Sequence, residues 1–311
     1  MNFNDFKYIN NKPNLNLTSQ CGQSCGIFKD MSDTEYHGNK EFWGSSMLRQ
    51  LYQNSKKFKN PEPPSSDMIF GTNFHCFLLQ NDLFNRQYII TDKSQRGKMT
   101  IPQYKAEKQK EADELGKRII DISDFKQMQE MRASLFAWRK NGYYPVQKWI
   151  EFNDPEVSYL IKDFNGLPVK IRPDILIDKL GWLGDLKVTS NASEDAFKRK
   201  IKELDYDMQM AFYNDVYTEI IGKKLKKLFW LVIEDKKPYS INTFEINLEV
   251  AELDTQSEDA KILESGRLGY MLCMEKAKST ISYDGYLDTI PDGKYFNKLA
   301  WNDWDSKRWT K

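Results

Sequence analysis

Three residues near the middle of the chain combine the side chains that chemistry on a phosphate needs. Asp174, Asp185 and Lys187 fall within the stretch KIRPDILIDKLGWLGDLKVT. Residues 168–178 alternate: Val169, Ile171, Ile175 and Ile177 form an apolar face, and Lys170, Arg172 and Asp174 take the other. Residues 182–189 alternate as well, with Trp182, Leu186 and Val188 on one side and Asp185 and Lys187 on the other. Both patterns are those of half-buried strands. Asp178-Lys179-Leu180-Gly181 between them reads as a tight hairpin turn. A symmetric turn sets Asp174 across from Asp185, and Arg172 across from Lys187. Directly opposed Cβ atoms lie about 4.5–5.5 Å apart, where like charges repel. Two facing carboxylates therefore call for a cation. Their oxygens suit Mg²⁺ or Mn²⁺, with water in the remaining positions. Such an ion lowers the pKa of a water and stabilises charge at a phosphorus centre. A lysine alongside can position or deprotonate that water, or neutralise the developing anion. Taken singly, each carboxylate reads as a solvated surface group; the triad with Lys187 is harder to dismiss. Arg172 and Lys187 flanking the pair would bind phosphate or merely balance charge.

These residues need a scaffold. Strands are expected at 146–152, 157–163, 168–177, 182–189 and 228–234, with 239–247 alternating beside the last. Helices are expected at 41–54, 67–80, 105–118, 123–140, 205–221 and 248–277, and a short strand at 87–91. Asn191 to Glu194 resembles a capping box that opens a helix to about Leu204. The expected division is a loose Asn-rich arm over 1–30, a helical part over 31–143 that carries His75, a mixed α/β core over 144–280, and an aromatic tail over 281–311 with Trp301, Trp304 and Trp309.

Composition constrains the partners loosely. The chain has 311 residues, 29% charged and 40% hydrophobic, which is ordinary for a water-soluble globular protein. Its net charge of +1 neither demands nor excludes nucleic acid, so a local patch would have to supply any attraction. Lysine is dense at 56–59, 93–110 and 223–227, where solvated faces are the default reading. The four cysteines, Cys21, Cys25, Cys76 and Cys273, lack paired zinc spacing and form no disulfide framework, which fits a reducing cytoplasm. No apolar run approaches a membrane span, and no membrane partner is expected.

Pro173-Asp174 followed by Asp185-Leu186-Lys187 resembles the PD-(D/E)xK nuclease superfamily. The longer context, Arg172-Pro173-Asp174 and Gly184-Asp185-Leu186-Lys187-Val188-Thr189, resembles the RecE-type exonucleases (exonuclease VIII) and their phage relatives. Glu156-Val157-Ser158 resembles an upstream Glu-x-Ser element of that group. Gln209 through Tyr213 resembles the Gln-x3-Tyr motif of RecB-type nucleases, and Gly71 through His75 their Gly-x3-His helix. Glu35-Tyr36-His37 to Ser46-Met47-Leu48 resembles the N-terminal Tyr-His and Ser-x-Leu signature. The resemblance spans roughly residues 31 to 217. Gly44 stands where the first serine of the usual Ser-x-Ser-x-Leu would be, and Leu79 and Gln80 stand where many RecB relatives carry a glutamate.

The resemblance implies a restriction-endonuclease-like core: a mixed central sheet flanked by helices, with an N-terminal helical region. It implies Asp174, Asp185 and His75 as metal ligands, completed by the Leu186 carbonyl, with Lys187 as the catalytic cation. Glu156, Gln209 and Tyr213 would support them, and Ser46 and Arg172 would meet DNA phosphate. Each has a plainer reading too. His75 among Phe74, Phe77 and Leu78 suits a core histidine, Gln209 and Tyr213 an amphipathic helix face, and Ser46 an ordinary cap as well as an anion site. The implied activity is Mg²⁺-dependent degradation of one strand of linear duplex DNA, 5′ to 3′, with Mn²⁺ substituting. The 3′ single strand would pass to a single-strand annealing protein of RecT type. A homo-oligomeric ring, phage or prophage origin and no iron–sulfur cluster are also implied. The alternatives are a PD-(D/E)xK endonuclease, a trimming nuclease of the CRISPR-adaptation type, and a non-catalytic DNA-binding recombination scaffold.

Overall fold

The computed structural model describes residues 8–282 apart from 10, 11, 14, 30, 140, 141, 144 and 154; the expected aromatic tail beyond Ser282 lies outside the described residues. In chain order the strands are β1 (Tyr8–Ile9), β2 (Lys12–Pro13), β3 (Leu17–Thr18), β4 (Ser24–Phe28), β5 (Tyr88–Thr91), β6 (Arg118–Asp121), β7 (Ser158–Phe164), β8 (Leu167–Ile171), β9 (Ile175–Ile177), β10 (Trp182–Thr189), β11 (Lys227–Glu234) and β12 (Ile241–Asn247). The helices are α1 (Asp33–Gly38), α2 (Ser45–Gln53), α3 (Ser55–Lys59), α4 (Ser66–Leu79), α5 (Asn81–Gln87), α6 (Ile101–Glu114), α7 (Ile122–Ala137), α8 (Pro145–Phe152), α9 (Glu194–Glu203), α10 (Tyr206–Ile221), α11 (Leu248–Leu253) and α12 (Glu258–Ser282).

The hairpin forms in the expected register. β9 runs antiparallel to β10, with Ile177 opposite Trp182 and Ile175 opposite Gly184. β11 then pairs parallel with β10 and antiparallel with β12, giving a mixed sheet in the order β12-β11-β10-β9. Apolar side chains cover both its faces. Leu183, Leu228, Trp230 and Val232 pack in a core with α2, α10 and α12, while Ile175, Leu186, Phe229, Leu231 and Ile233 pack in a second core with α4, α7 and α8. Burial on both faces explains why β11 reads as an unbroken apolar run.

The strand expected over 168–177 does not exist as one element. It breaks at Arg172-Pro173-Asp174, where the chain leaves one sheet for another. Proline has no N–H to donate to a ladder and keeps the residue before it extended, so a sheet ends there readily. β8 belongs to a separate antiparallel sheet in the order β3-β4-β7-β8. Val169 and Ile171 therefore face the first core and Ile175 and Ile177 the second. One consequence governs the site. β9 ends at Ile175 while β10 runs on to Thr189, so beyond Gly184 one edge of β10 has no strand beside it.

Several further expectations are corrected. Residues 146–152 form a helix: Pro145 opens it, where a missing N–H costs nothing, and Val146, Trp149 and Ile150 make a helical stripe on the second core. The N-terminal arm is partly sheet, since β4 pairs with β7, Cys25 opposite Ile161. β6 pairs parallel with β5 where the sequence suggested the end of a helix. The Thr100 capping box with Gln103 starts α6 earlier than expected. Ser193, not Asn191, caps α9; the Asn191 side chain accepts the Ser193 N–H at 2.8 Å. The helix expected over 248–277 is two, α11 and α12, divided at 254–257, where Asp254 accepts the Gln256 N–H.

Gly184 carries a testable constraint. A Cβ there would lie 2.3 Å from the Phe229 ring of the neighbouring strand. Gly184→Ala is expected to destabilise the protein by about 1–3 kcal/mol, the usual cost of overpacking. Gly184→Ala combined with Phe229→Leu should recover most of that loss in urea unfolding. An unchanged midpoint in the single variant would contradict the packing.

Candidate active site

The site grows from the exposed edge of β10. Asp174 sits just past the end of β9, and its Oδ2 accepts the Leu186 N–H at 2.8 Å. A carboxylate thus takes the place of the missing strand. Asn153 fixes the same turn: its side chain donates to the Asp174 carbonyl at 2.9 Å and accepts the Leu176 N–H at 2.7 Å. No motif pointed to Asn153, because a lone asparagine after a helix has no pattern to betray it. The Leu186 N–H points toward Asp174, and N–H and C=O of a strand residue share an edge, so the Leu186 carbonyl faces the same opening.

Asp185 is 2% exposed. Its Oδ1 accepts from Gln209 Nε2 at 3.1 Å, and its Oδ2 lies 2.7 Å from Lys187 Nζ. That ammonium is off hydrogen-bond angle, so Oδ2 is buried without a directed donor. Gln209 bridges the two: its Oε1 accepts from Lys187 at 3.2 Å, and Tyr213 Oη stands 3.3 Å from its Nε2. Gln209 and Tyr213 share a face of α10, one turn apart, as their spacing required. The Lys187 ammonium also rests 4.3 Å from the centre of the Tyr206 ring, a contact that the sequence analysis missed.

α4 brings in His75 from the other side. Phe74, Phe77 and Leu78 of that helix are buried in the second core, whereas His75 places Nδ1 3.4 Å from Asp174 Oδ2. Burial opposes the charged imidazole, but Asp174 outweighs it and raises the pKa to about 8. Glu156 stands nearby with φ at 57°, a left-handed conformation that strains a non-glycine residue. Burial, with Asp174 close by, pushes its pKa up to about 8. Burial works against Asp174 as well, yet His75 holds its carboxyl below the usual range, whereas burial raises that of Asp185.

Arg172 does not stand across from Lys187. The break at Pro173 turns it away, and it is buried with Nε on Ser158 Oγ at 2.9 Å, Nη1 on Asp33 Oδ1 at 2.9 Å and Nη2 on the Met31 carbonyl at 2.8 Å. The fork that a phosphate would need is occupied; Arg172 ties α1 to β7 and β8. Ser46 lies in the first turn of α2. The cap residue Gly44 offers no side chain, and the first helical bond runs from the Leu48 N–H to the Gly44 carbonyl. The N–H groups of Ser45, Ser46 and Met47 therefore have no partner within the helix. Lys170 stands beside them, buried, donating to the Asn39 carbonyl at 2.6 Å, its pKa lowered by burial to about 8.

Asp174, Lys187, His75, Glu156, Tyr213 and Ser46 all line one cavity of about 1110 Å³. As the side chains lie, no three His, Cys, Asp or Glu residues among the described ones form a metal-binding group. Lys187 and His75 supply the positive charge between the carboxylates, so repulsion alone does not demand a metal. The donor set nonetheless fits one. The Asp185 carboxylate, if Lys187 yields Oδ2, with the Asp174 carboxylate, the Leu186 carbonyl and His75 could hold a divalent ion, and oxygen-rich sets favour Mg²⁺ or Mn²⁺.

The family model described as a PDDEXK-like domain of unknown function (DUF3799) matches residues 24–268. The chain belongs to this PDDEXK-like family. The fold of this PDDEXK-like protein is similar to the crystal structure of a candidate exonuclease from Eubacterium rectale, at 14% identity, TM-score 0.54, over 87% of this chain and 96% of that one. A phage-related exonuclease from Haemophilus somnus 129PT aligns at 14% identity over 76% of this chain and 96% of that one, with a TM-score of 0.26. No curated protein matches the sequence. No helix among the described residues of this PDDEXK-like protein is long and apolar enough to cross a membrane.

The buried pair makes a quantitative prediction. Lys187→Met leaves Asp185 uncompensated and is expected to cost about 3–5 kcal/mol of stability. Asp185→Asn in the same chain should recover most of the loss in denaturant unfolding. Simple additivity of the two losses would contradict the pairing.

Proposed function

We propose that this PDDEXK-like protein is a Mg²⁺-dependent exodeoxyribonuclease that degrades one strand of linear duplex DNA from its 5′ end. The observation that carries the reading is the Asp174 carboxylate on the unpartnered edge of β10 beside the buried Asp185–Lys187 pair, at a cavity that Asp174, Lys187, His75 and Glu156 line. When bound, a divalent ion supplies charge stabilisation at the scissile phosphate and a more acidic water. The chain's own residues do the rest. Lys187 neutralises the anion that develops on the phosphate, and Gln209 fixes both the ammonium and the Asp185 carboxylate. Tyr213 orients that amide. The N–H groups of Ser45, Ser46 and Met47, which have no partner within α2, and the Ser46 hydroxyl suit a terminal phosphate.

The exonuclease reading draws on the sequence resemblance and on the description of the Eubacterium rectale protein as a candidate exonuclease. Action in a homo-oligomeric ring, and delivery of the 3′ strand to an annealing protein of RecT type, follow from the same resemblance. Digestion of a linear duplex labelled at either 5′ or 3′ end, beside a closed circle, tests the reading. With Mg²⁺ the 5′ label should leave first as small products and the circle should stay intact; without Mg²⁺ nothing should be released. Nicking of the circle would make the protein an endonuclease. No cleavage with either Mg²⁺ or Mn²⁺ would favour the scaffold.

A further inference from the structure

One basic element stands outside the chemistry above. β5, α6 and β6 form a small unit beyond both four-stranded sheets, with the parallel pair β5–β6 joined through α6. Residues 93–118 carry eight Lys or Arg against four Asp or Glu, a net of +4 in a chain whose total is only +1. On α6 the charges largely cancel internally, Lys108 with Glu111 at 2.6 Å and Lys110 with Glu114 at 3.9 Å. Arg96, Lys98 and Lys105 have no acidic partner among the described residues. Arg96 and Lys98 line a groove between the loop 95–99 and the first turns of α6.

The loop is tied to a helix that lines the catalytic cavity. Lys93 pairs with Asp121 at 2.5 Å, and Asp121 caps α7. One turn further, Asp124 and Gln127 of α7 line the cavity that contains Asp174 and Lys187. The ligand class follows from what the surface offers. Tyr104 is the single aromatic residue between 93 and 118, and it is buried. With no ring to stack on a base, the surface lacks the platform that single strands use. Cations alone read the phosphate backbone without regard to sequence.

We propose that the loop carrying Arg96 and Lys98 is a second contact for double-stranded DNA, gripping the backbone of uncut duplex outside the cleft. This rests on the nuclease reading above. The other lysine run provides a control. Lys223 and Lys224 are paired with Asp178 and Glu252. They precede β11, whose first residue, Lys227, lies opposite Trp182, at the end of β10 away from Asp185.

The test measures affinity for a 25-base-pair duplex against salt concentration, with Ca²⁺ in place of Mg²⁺ to hold back cleavage. Each phosphate contact contributes about 0.9 to the slope of log affinity on log salt. Arg96→Gln with Lys98→Gln should make the slope shallower by about 1.8 and leave the unfolding midpoint unchanged. Lys223→Gln with Lys224→Gln should leave the slope as in the unaltered protein. An unaltered protein that binds, with the same slope in the Arg96/Lys98 variant, would overturn the loop contact and leave the nuclease reading standing. An equal loss in the control variant would overturn it too. Failure of the unaltered protein to bind duplex at all would sink both.

Discussion

β10 outruns its partner, and the rest of the site depends on that mismatch. A strand edge in a protein interior exposes N–H and C=O groups that must find partners. Here Pro173 ends the neighbouring strand after only a short pairing, and the Asp174 carboxylate answers the Leu186 N–H instead. The same event opens the cavity, sets Asp174 beside His75, and turns the Leu186 carbonyl toward the opening. A continuous strand over 168–177 would have filled that space.

The opening gathers charge that would otherwise be costly. Asp174, Asp185 and Glu156 face His75, Lys187 and Arg172 in a region largely withdrawn from water. Such groups are tolerated only when each charge is matched, and the matching here is close but incomplete: Asp185 retains an oxygen with no directed donor, and Glu156 sits in a strained backbone conformation. Two apolar cores, one on each face of the β9–β12 sheet, hold this arrangement in place. Stability comes from those cores, and the polar seam between sheet, α4 and α10 is where the fold departs from what is merely stable.

Much of this was legible in the chain. The hairpin register, the facing of Asp185 and Lys187 away from Leu186, and the shared face of Gln209 and Tyr213 all follow from periods of two and about four residues. What was not legible has a common cause. Alternation over 168–177 looks continuous because residues on either side of Pro173 keep the same parity, although they pack into different cores. Residues 146–152 read equally as a strand in sequence because a short apolar run has no unambiguous period. The hairpin register extends only to Ile175, and the break beyond it sends Arg172 to Asp33 and Ser158. Asn153 binds backbone groups of Asp174 and Leu176 with its side chain and Tyr206 offers a ring face, for which the sequence carries no spacing signal.

The proposed nuclease requires Asp174 and Asp185 to hold a divalent ion with His75. Calorimetric titration with Mn²⁺ between pH 6.5 and 9 tests it most directly. His75, with a pKa near 8, must release its proton to become a ligand, so affinity should rise through that range. Asp185→Asn should abolish the binding at every pH. Mn²⁺ binding of equal strength in Asp185→Asn, or none in the unaltered protein, would contradict the account.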